Sequence, residues 1–274
     1  MTSSPELAER TAAAPAAEQP SVSPPPPAIR LSGVSKSFGR AGAPVLEDID
    51  LDVAAGELLC VLGASGCGKS TLLNLIAGLD RASAGRIDLP GGRASLLFQE
   101  SALYPWLTAA GNVELALRLR KVPRTERRDR ARELLSLVRL GGAADKRVHE
   151  LSGGMRQRVA LARALAQDCG VLLMDEPFAA LDAITRDVLH EELIGLWQRA
   201  ADTGRPLAIV FVTHNVREAA RLGQRVLLLS SRPGRVAREW TVDLPQPRRI
   251  EDPQVGGLAV EITAELRREI SRHA

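Results

Sequence analysis

The sequence predicts an α/β protein in which helices cover a parallel core sheet, with an antiparallel β portion ahead of the sheet and a helical portion set into it. Three observations predict this. Four runs are apolar without alternation, LLCVL (58–62), VLLM (171–174), LAIVFV (207–212) and VLLL (226–229), and strands apolar on both faces belong to a parallel sheet enclosed by helices. Ahead of them, residues 29–53 alternate, as in VLEDIDLDV, the pattern of antiparallel strands with one wet face. Between the first two apolar runs, residues 112–140 carry helical composition and spacing.

In chain order, residues 1–28 are rich in Ala, Pro and Ser and close on Pro24–Pro27. They have too little apolar surface to offset chain entropy and are expected to be disordered or extended in polyproline fashion. Residues 29–250 are expected to form one domain, with its helical subdomain at about 100–160. Within it RTERRDRARELLSLVRL (124–140) is expected to stop at Gly141–Gly142. The bases from Arg118 to Arg132 alternate with Glu126, Asp129 and Glu133, which suits a solvated helix face laced with ion pairs, although anionic lipid headgroups would also match it. Residues 251–274 close the chain as a helix, with Leu258, Ile262, Leu266 and Ile270 as its apolar stripe.

Composition bounds the function. The 274 residues are 45% hydrophobic, and no apolar run approaches the roughly 18 residues that span a bilayer. A chain of this size buries about 70–75% of its unfolded surface and needs no disulfide or metal staple. Cys60, Cys67 and Cys169 are an odd number without ligand spacing, which fits a reducing compartment. The start, MTSSPELAER, carries early acids and no apolar core, so no secretory signal is expected there. A net charge of +3 gives little support to nucleic-acid binding.

The strongest chemistry is GASGCGKST, comprising Gly63, Ala64, Ser65, Gly66, Cys67, Gly68, Lys69, Ser70 and Thr71. It joins an apolar run to the helical LLNLIAGL and matches the phosphate loop G-x-x-x-x-G-K-[ST] in its strand, loop, helix context. Glycines let backbone N–H groups converge on phosphates, and the helix start adds its positive dipole end. Lys69 would reach the outer phosphates, and Ser70 would ligate Mg²⁺. Cys67 is either a thiol acidified by those N–H groups or a tolerated small residue. VLLMDEP (171–177) runs a buried strand into two carboxylates: Asp175, placed to hold Mg²⁺, and Glu176, placed to polarise an attacking water. A second anion-friendly helix start lies in ELSGGMRQ (150–157), at Ser152, Gly153 and Gly154.

Together GASGCGKST, LSGGMRQ and LLMDEP resemble the ATP-binding subunit of an ATP-binding cassette transporter, a phosphate-loop NTPase, over nearly all of residues 30–244. The resemblance implies a homodimer, two subunits head to tail, in which Ser152, Gly153 and Gly154 of one cap the γ-phosphate held by the other. It also implies that Phe38 stacks on adenine, Gln99 senses Mg²⁺ and water, Asp182 faces the partner and His214 contacts the γ-phosphate. His149, His190 and His273 match no family role. Two transmembrane permease subunits and a separate solute-binding protein are implied as partners, with the chain peripheral at the cytoplasmic face of the membrane. The cluster Tyr104, Trp106 and Leu107 around Pro105 is then the surface that receives a permease helix, unless Trp106 is buried in its own subdomain.

YPWLTAAGNV and SSRPGRVAREWTVDLPQPR resemble the importer branch for nitrate, aliphatic sulfonates and taurine, with Tyr104 where that branch usually has Leu. Aliphatic sulfonate is the expected solute. Two other classes compete: a soluble cassette acting on nucleic acid or ribosomes, and a non-catalytic nucleotide-binding scaffold. The presence of Glu176, Gln99 and His214 weighs against the scaffold.

Overall fold

A computed structural model describes residues 27–39 and 42–272. The tail expected over 1–28 lies outside them as far as residue 26, as does His273, while Pro27 and Ala28 already belong to the first strand. Strands β1 (Pro27–Ser37) and β2 (Pro44–Ala54) pair antiparallel, with Leu31 opposite Leu51 and Arg30 opposite Asp52. Ile29, Leu31, Val34, Ile49, Leu51 and Val53 are buried, whereas Arg30 and Asp52 form an ion pair on the wet face, so the alternation does what it predicts. Strand β3 (Leu58–Gly63) leads through the phosphate loop into α1 (Lys69–Ile76), and β4 (Ala84–Asp88) returns to the free edge of β1.

The core sheet continues through β5 (Ser95–Leu97), then α2 (Ala109–Leu119), α3 (Arg124–Leu137) and α4 (Gly153–Leu165), before β6 (Val171–Asp175). After α5 (Ala183–Asp202) come β7 (Ala208–Val212), α6 (Val216–Leu222), β8 (Arg225–Leu229), β9 (Val236–Thr241) and α7 (Pro253–Ser271). The strand order is β5-β6-β7-β3-β8-β9, parallel except for the antiparallel edge strand β9. Its strands divide between two cores. Leu58, Cys60 and Leu62 of β3 face the helices α4 to α7, while Leu59 and Val61 face α1 and the antiparallel sheet. That is why these strands are apolar at every position.

Sequence expectations are corrected at three points. Helix α3 ends at Leu137, before the glycines: Arg139 takes the left-handed conformation (φ 56), its N–H reaching the Ser136 carbonyl at 3.0 Å and Leu140 N–H reaching that of Leu135 at 2.7 Å. This is a Schellman closure with Arg in the usual glycine position, stabilised by burial of Leu140 and Leu135 in one cluster. Along α7, a spacing of four overshoots the 3.6-residue turn, so the stripe rotates off the core. Ile262 is fully buried, but Ile270 is 45% exposed. The basic run also finds its acids elsewhere: Arg120 pairs with Asp168 at 2.6 Å and Arg132 with Asp145 at 3.1 Å.

The turn between β8 and β9, SSRPGR, packs onto the phosphate loop. Gly234 N–H donates to the Val45 carbonyl (2.9 Å), its own carbonyl accepts from Glu47 N–H (3.0 Å), and Arg235 pairs with Glu47 (2.9 Å). A Cβ on Gly234 would stand 2.1 Å from the Cys67 carbonyl oxygen. Gly234→Ala must therefore displace backbone, and is expected to cost about 1–3 kcal/mol in urea denaturation. In contrast, Gly257 is exposed inside α7 with open space around it, so Gly257→Ala is expected to stabilise by about 0.5–1 kcal/mol. Equal midpoints for the two variants would refute this account of the turn.

Candidate functional site

The site forms where β3, β7 and β6 end side by side. Val61 registers against Val212 and Val212 against Asp175, which brings together the phosphate loop, Thr213–His214 and Asp175–Glu176. They enclose a cleft of about 390 Å³ lined by Ser65, Gly66 and Gly68–Thr71 with Val45, Glu176 and His214. Gly66 (φ 77) and Gly68 (φ 103) take left-handed conformations, which turn the loop so that α1 starts at its floor. The Lys69 ammonium is buried inside its own loop, donating to the carbonyls of Gly63 (2.8 Å) and Ala64 (3.0 Å). A glycine-turned loop that holds a cation and leads straight into a helix start, with that helix's first N–H groups unpaired, is suited to a polyphosphate.

Ser70 and Asp175 are neighbours at the foot of the cleft. Burial raises the Asp175 carboxyl above its ordinary range; the Ser70 hydroxyl and Lys69 oppose this, and Glu176 adds to it. Glu176 holds a left-handed backbone (φ 43), anchored by its N–H to the Val212 carbonyl at 3.0 Å. A bulky residue in that region costs of order 1–3 kcal/mol and is found where surroundings over-determine it, often at functional sites. Its Oε2 lies 2.9 Å from His214 Nδ1. A carboxylate in hydrogen-bond contact with an imidazole, at the rim of an anion cradle, can take a proton from water.

Other expected site residues stand outside the cleft. Phe38 is 55% exposed, with Lys36 Nζ 4.8 Å from its ring centroid. Gln99 is exposed just beyond β5. Ser152 caps α4, accepting from Met155 N–H (3.2 Å), and Asp182 caps α5, accepting from Thr185 N–H (2.9 Å). These two helix starts are neighbours, because a Cβ on Gly154 would stand 2.7 Å from Thr185 Cγ2 and one on Gly153 would meet Leu181 Cδ2 at 4.0 Å. Cys67 is buried, and burial pushes its thiol up despite Lys69 nearby. The acidified-thiol reading therefore fails: desolvation outweighs the loop's N–H groups.

The sequence reading missed three contributors. Val45 lines the cleft, and nothing in its pattern marks it apart from any strand residue. Gln157 donates to the Phe98 carbonyl (3.3 Å), tying α4 to the Gln99 segment. Arg232 lays its guanidinium against Gly66, Nη2 3.4 Å from where a Cβ would be; the Pro-Gly of this turn was the available signal.

The aromatic loop before α2 is held from inside. Buried Asn112 accepts from Tyr104 N–H (2.8 Å) and donates to the carbonyls of Tyr104 (3.3 Å) and Thr108 (3.0 Å), while Arg163 donates to those of Ser101 and Ala102. Trp106 is 68% exposed, its ring 5.5 Å from that of Tyr104, so the reading in which it is buried within its own subdomain does not hold.

Comparison with known proteins agrees with this geometry. Residues 46–179 match the family model described as ABC transporter. A taurine import ATP-binding protein of Pseudomonas putida is 46% identical, over 80% of this chain and 84% of its own length. A nitrate import ATP-binding protein of Synechocystis is 46% identical over 79% of this chain and 83% of its own. Among solved structures, a dimeric post-hydrolysis ATP-binding cassette bound to ADP and Pi matches with a TM-score of 0.68 at 33% identity, covering 79% of this chain and all of that one. Sequence relatives of this closeness, with the cleft at the ends of β3, β7 and β6, show that the chain belongs to the ABC transporter family, as one of its ATP-binding cassettes.

Proposed function

We propose that this cassette is the ATP-hydrolysing motor of an importer for small sulfonates, and that it works as a head-to-tail homodimer. The observation that carries the motor is the cleft itself: phosphate loop, Glu176 and His214 meet although they lie far apart in the chain. The branch rests on the taurine and nitrate import relatives. Taurine is a sulfonate, which keeps aliphatic sulfonates first; nitrate is the second reading, favoured by the Synechocystis relative.

In this mechanism phosphate oxygens take over the N–H groups of Gly66–Thr71 and compete with the Gly63 and Ala64 carbonyls for Lys69. Ser70 and Asp175, a neighbouring hydroxyl and carboxylate, are hard oxygen donors of the kind that suits Mg²⁺, which would neutralise phosphate charge when bound. Glu176 accepts a proton from water as the water oxygen bonds to the γ-phosphorus and the bond to the β–γ bridging oxygen breaks, leaving ADP and phosphate. His214, in contact with Glu176, faces the same phosphate. Phe38 supplies an open ring for adenine, and Gln99 joins when its segment closes on the cleft. Ser152, Gly153 and Gly154 of the second subunit, beside Asp182, complete the site. Permease subunits, a separate binding protein and a peripheral position at the cytoplasmic membrane face complete the proposal; among the described residues no helix is long and apolar enough to cross a membrane. The preorganised Tyr104–Trp106 loop is the docking surface for a permease helix.

Glu176→Gln keeps shape and loses the base, so turnover is expected to fall about 10²–10⁴-fold with ATP still bound. Steady-state phosphate release with equilibrium nucleotide binding checks this, and near wild-type turnover would sink the assignment. For the docking surface, Trp106→Ala is expected to keep basal ATPase but lose co-purification with the permease, because such anchors contribute about 2 kcal/mol or more. Undiminished co-purification would remove Trp106 from that role. With the assembled complex in lipid, hydrolysis should be stimulated by binding protein loaded with taurine or another sulfonate. Stimulation by nitrate alone selects the second reading, and stimulation only by a sugar or an amino acid rejects the branch.

A further inference from the structure

Directly beneath the Glu176–His214 contact lies a buried polar cluster that the cleft does not use. Glu218, in the first turn of α6, is buried, and each of its carboxylate oxygens serves a different segment of the site. Oε2 accepts the Thr213 hydroxyl at 2.6 Å, one residue before His214. Oε1 lies 3.5 Å from Nε of Arg186, in the first turn of α5. Arg186 in turn donates to the carbonyls of Leu181 (2.8 Å) and Phe178 (3.3 Å). Those carbonyls bracket the short loop that leaves Glu176 and ends at Asp182.

Other charges stand close by: Arg221 pairs with Asp187 at 2.6 Å beside His190, and Glu176 and His214 lie near enough to act on Glu218. His190 stands 3.8 Å from Oε1 with its ring near Phe178 and Phe211, and burial drops its pKa to about 3, so it is neutral at physiological pH. A buried carboxylate is costly, and apolar residues of similar size would hold two helices together as well. What apolar residues cannot do is tie two loops together through hydrogen bonds joined by an ion pair.

We propose that Glu218 and Arg186 are positioning residues for hydrolysis, holding the Phe178–Asp182 loop at a set distance from Thr213–His214. The contact between Glu176 and His214 then keeps its 2.9 Å geometry while water is attacked. Neither residue lines the nucleotide cleft, so the pair acts on turnover and leaves nucleotide binding alone. This inference rests on the reading of Glu176 as the base.

The test uses the full chain. Glu218→Gln keeps an oxygen for Thr213 and loses the charge facing Arg186; Arg186→Gln loses the other half; Thr213→Val removes the hydroxyl at nearly constant shape. Each is expected to lower kcat about 5- to 30-fold with equilibrium ATP affinity within about two-fold of wild type, and the Glu218→Gln, Arg186→Gln double variant to fall no further than the worse single. Unchanged kcat in folded Glu218→Gln and Thr213→Val, or additive losses, would overturn the proposal. So would kcat and ATP affinity falling in parallel with thermal stability, the mark of a purely structural pair. Wild-type protein that fails to hydrolyse ATP, or a Glu176→Gln variant that hydrolyses normally, would instead bring down the underlying reading.

Discussion

The pairing of β7 between β3 and β6 is the interaction on which the functional end of this molecule depends. Neighbouring strands lie about 4.8 Å apart, so whatever follows Gly63, Val212 and Asp175 is delivered to one place. The ladder continues a step beyond the strands: Thr213 N–H reaches the Val61 carbonyl at 3.2 Å and Glu176 N–H the Val212 carbonyl at 3.0 Å. Catalytic candidates are thereby extensions of the sheet's own hydrogen bonding. Strands apolar on both faces lack the polar alternation that would pin their register. Here shape does it: Phe211 packs against Phe178 at 6.0 Å and edge-on to His190, contacts that a one-residue slip would transfer to the opposite core.

Sequence alone made most of the architecture legible, because its signals are local. The uninterrupted apolar runs correspond to β3, β6, β7 and β8, the alternating stretch to β1 and β2, and the loop glycines to left-handed turns that glycine best supplies. What escaped depends on long-range partners. The end of α3 is set by Arg139, whose strained backbone is stabilised by Leu140 reaching a core that no local pattern reveals. The role of Gly234 comes from Cys67, a distant residue in another loop. Glu218 and Arg186 look in the sequence like ordinary solvated charges near helix starts, and only tertiary packing buries the one and turns the other onto loop carbonyls.

A similar economy governs the faces assigned to the second subunit. Ser152 and Asp182 each commit a side-chain oxygen to their own helix, so they stabilise the monomer whether or not a partner is present. The first backbone bond of α4 is made by Arg156 to Ser152, which places the Gly153 and Gly154 amides ahead of the helical ladder. An anion drawn to it would meet a helix start that is already capped. The aromatic loop follows the same principle, since Asn112 satisfies its backbone and leaves the Trp106 ring to solvent.

Strand β3 has hydrogen-bonded neighbours on both edges and a core against each face. Amides at Cys60 and Val61 can meet solvent only when the whole domain opens, so their hydrogen exchange would track global unfolding. Exposed Gln99 and the capped starts of α4 and α5 belong to segments with far less burial, and their amides would exchange through smaller openings. The floor of the cleft is thus slow to breathe while these outlying segments open readily, a hierarchy that lets them fluctuate without loosening the cradle.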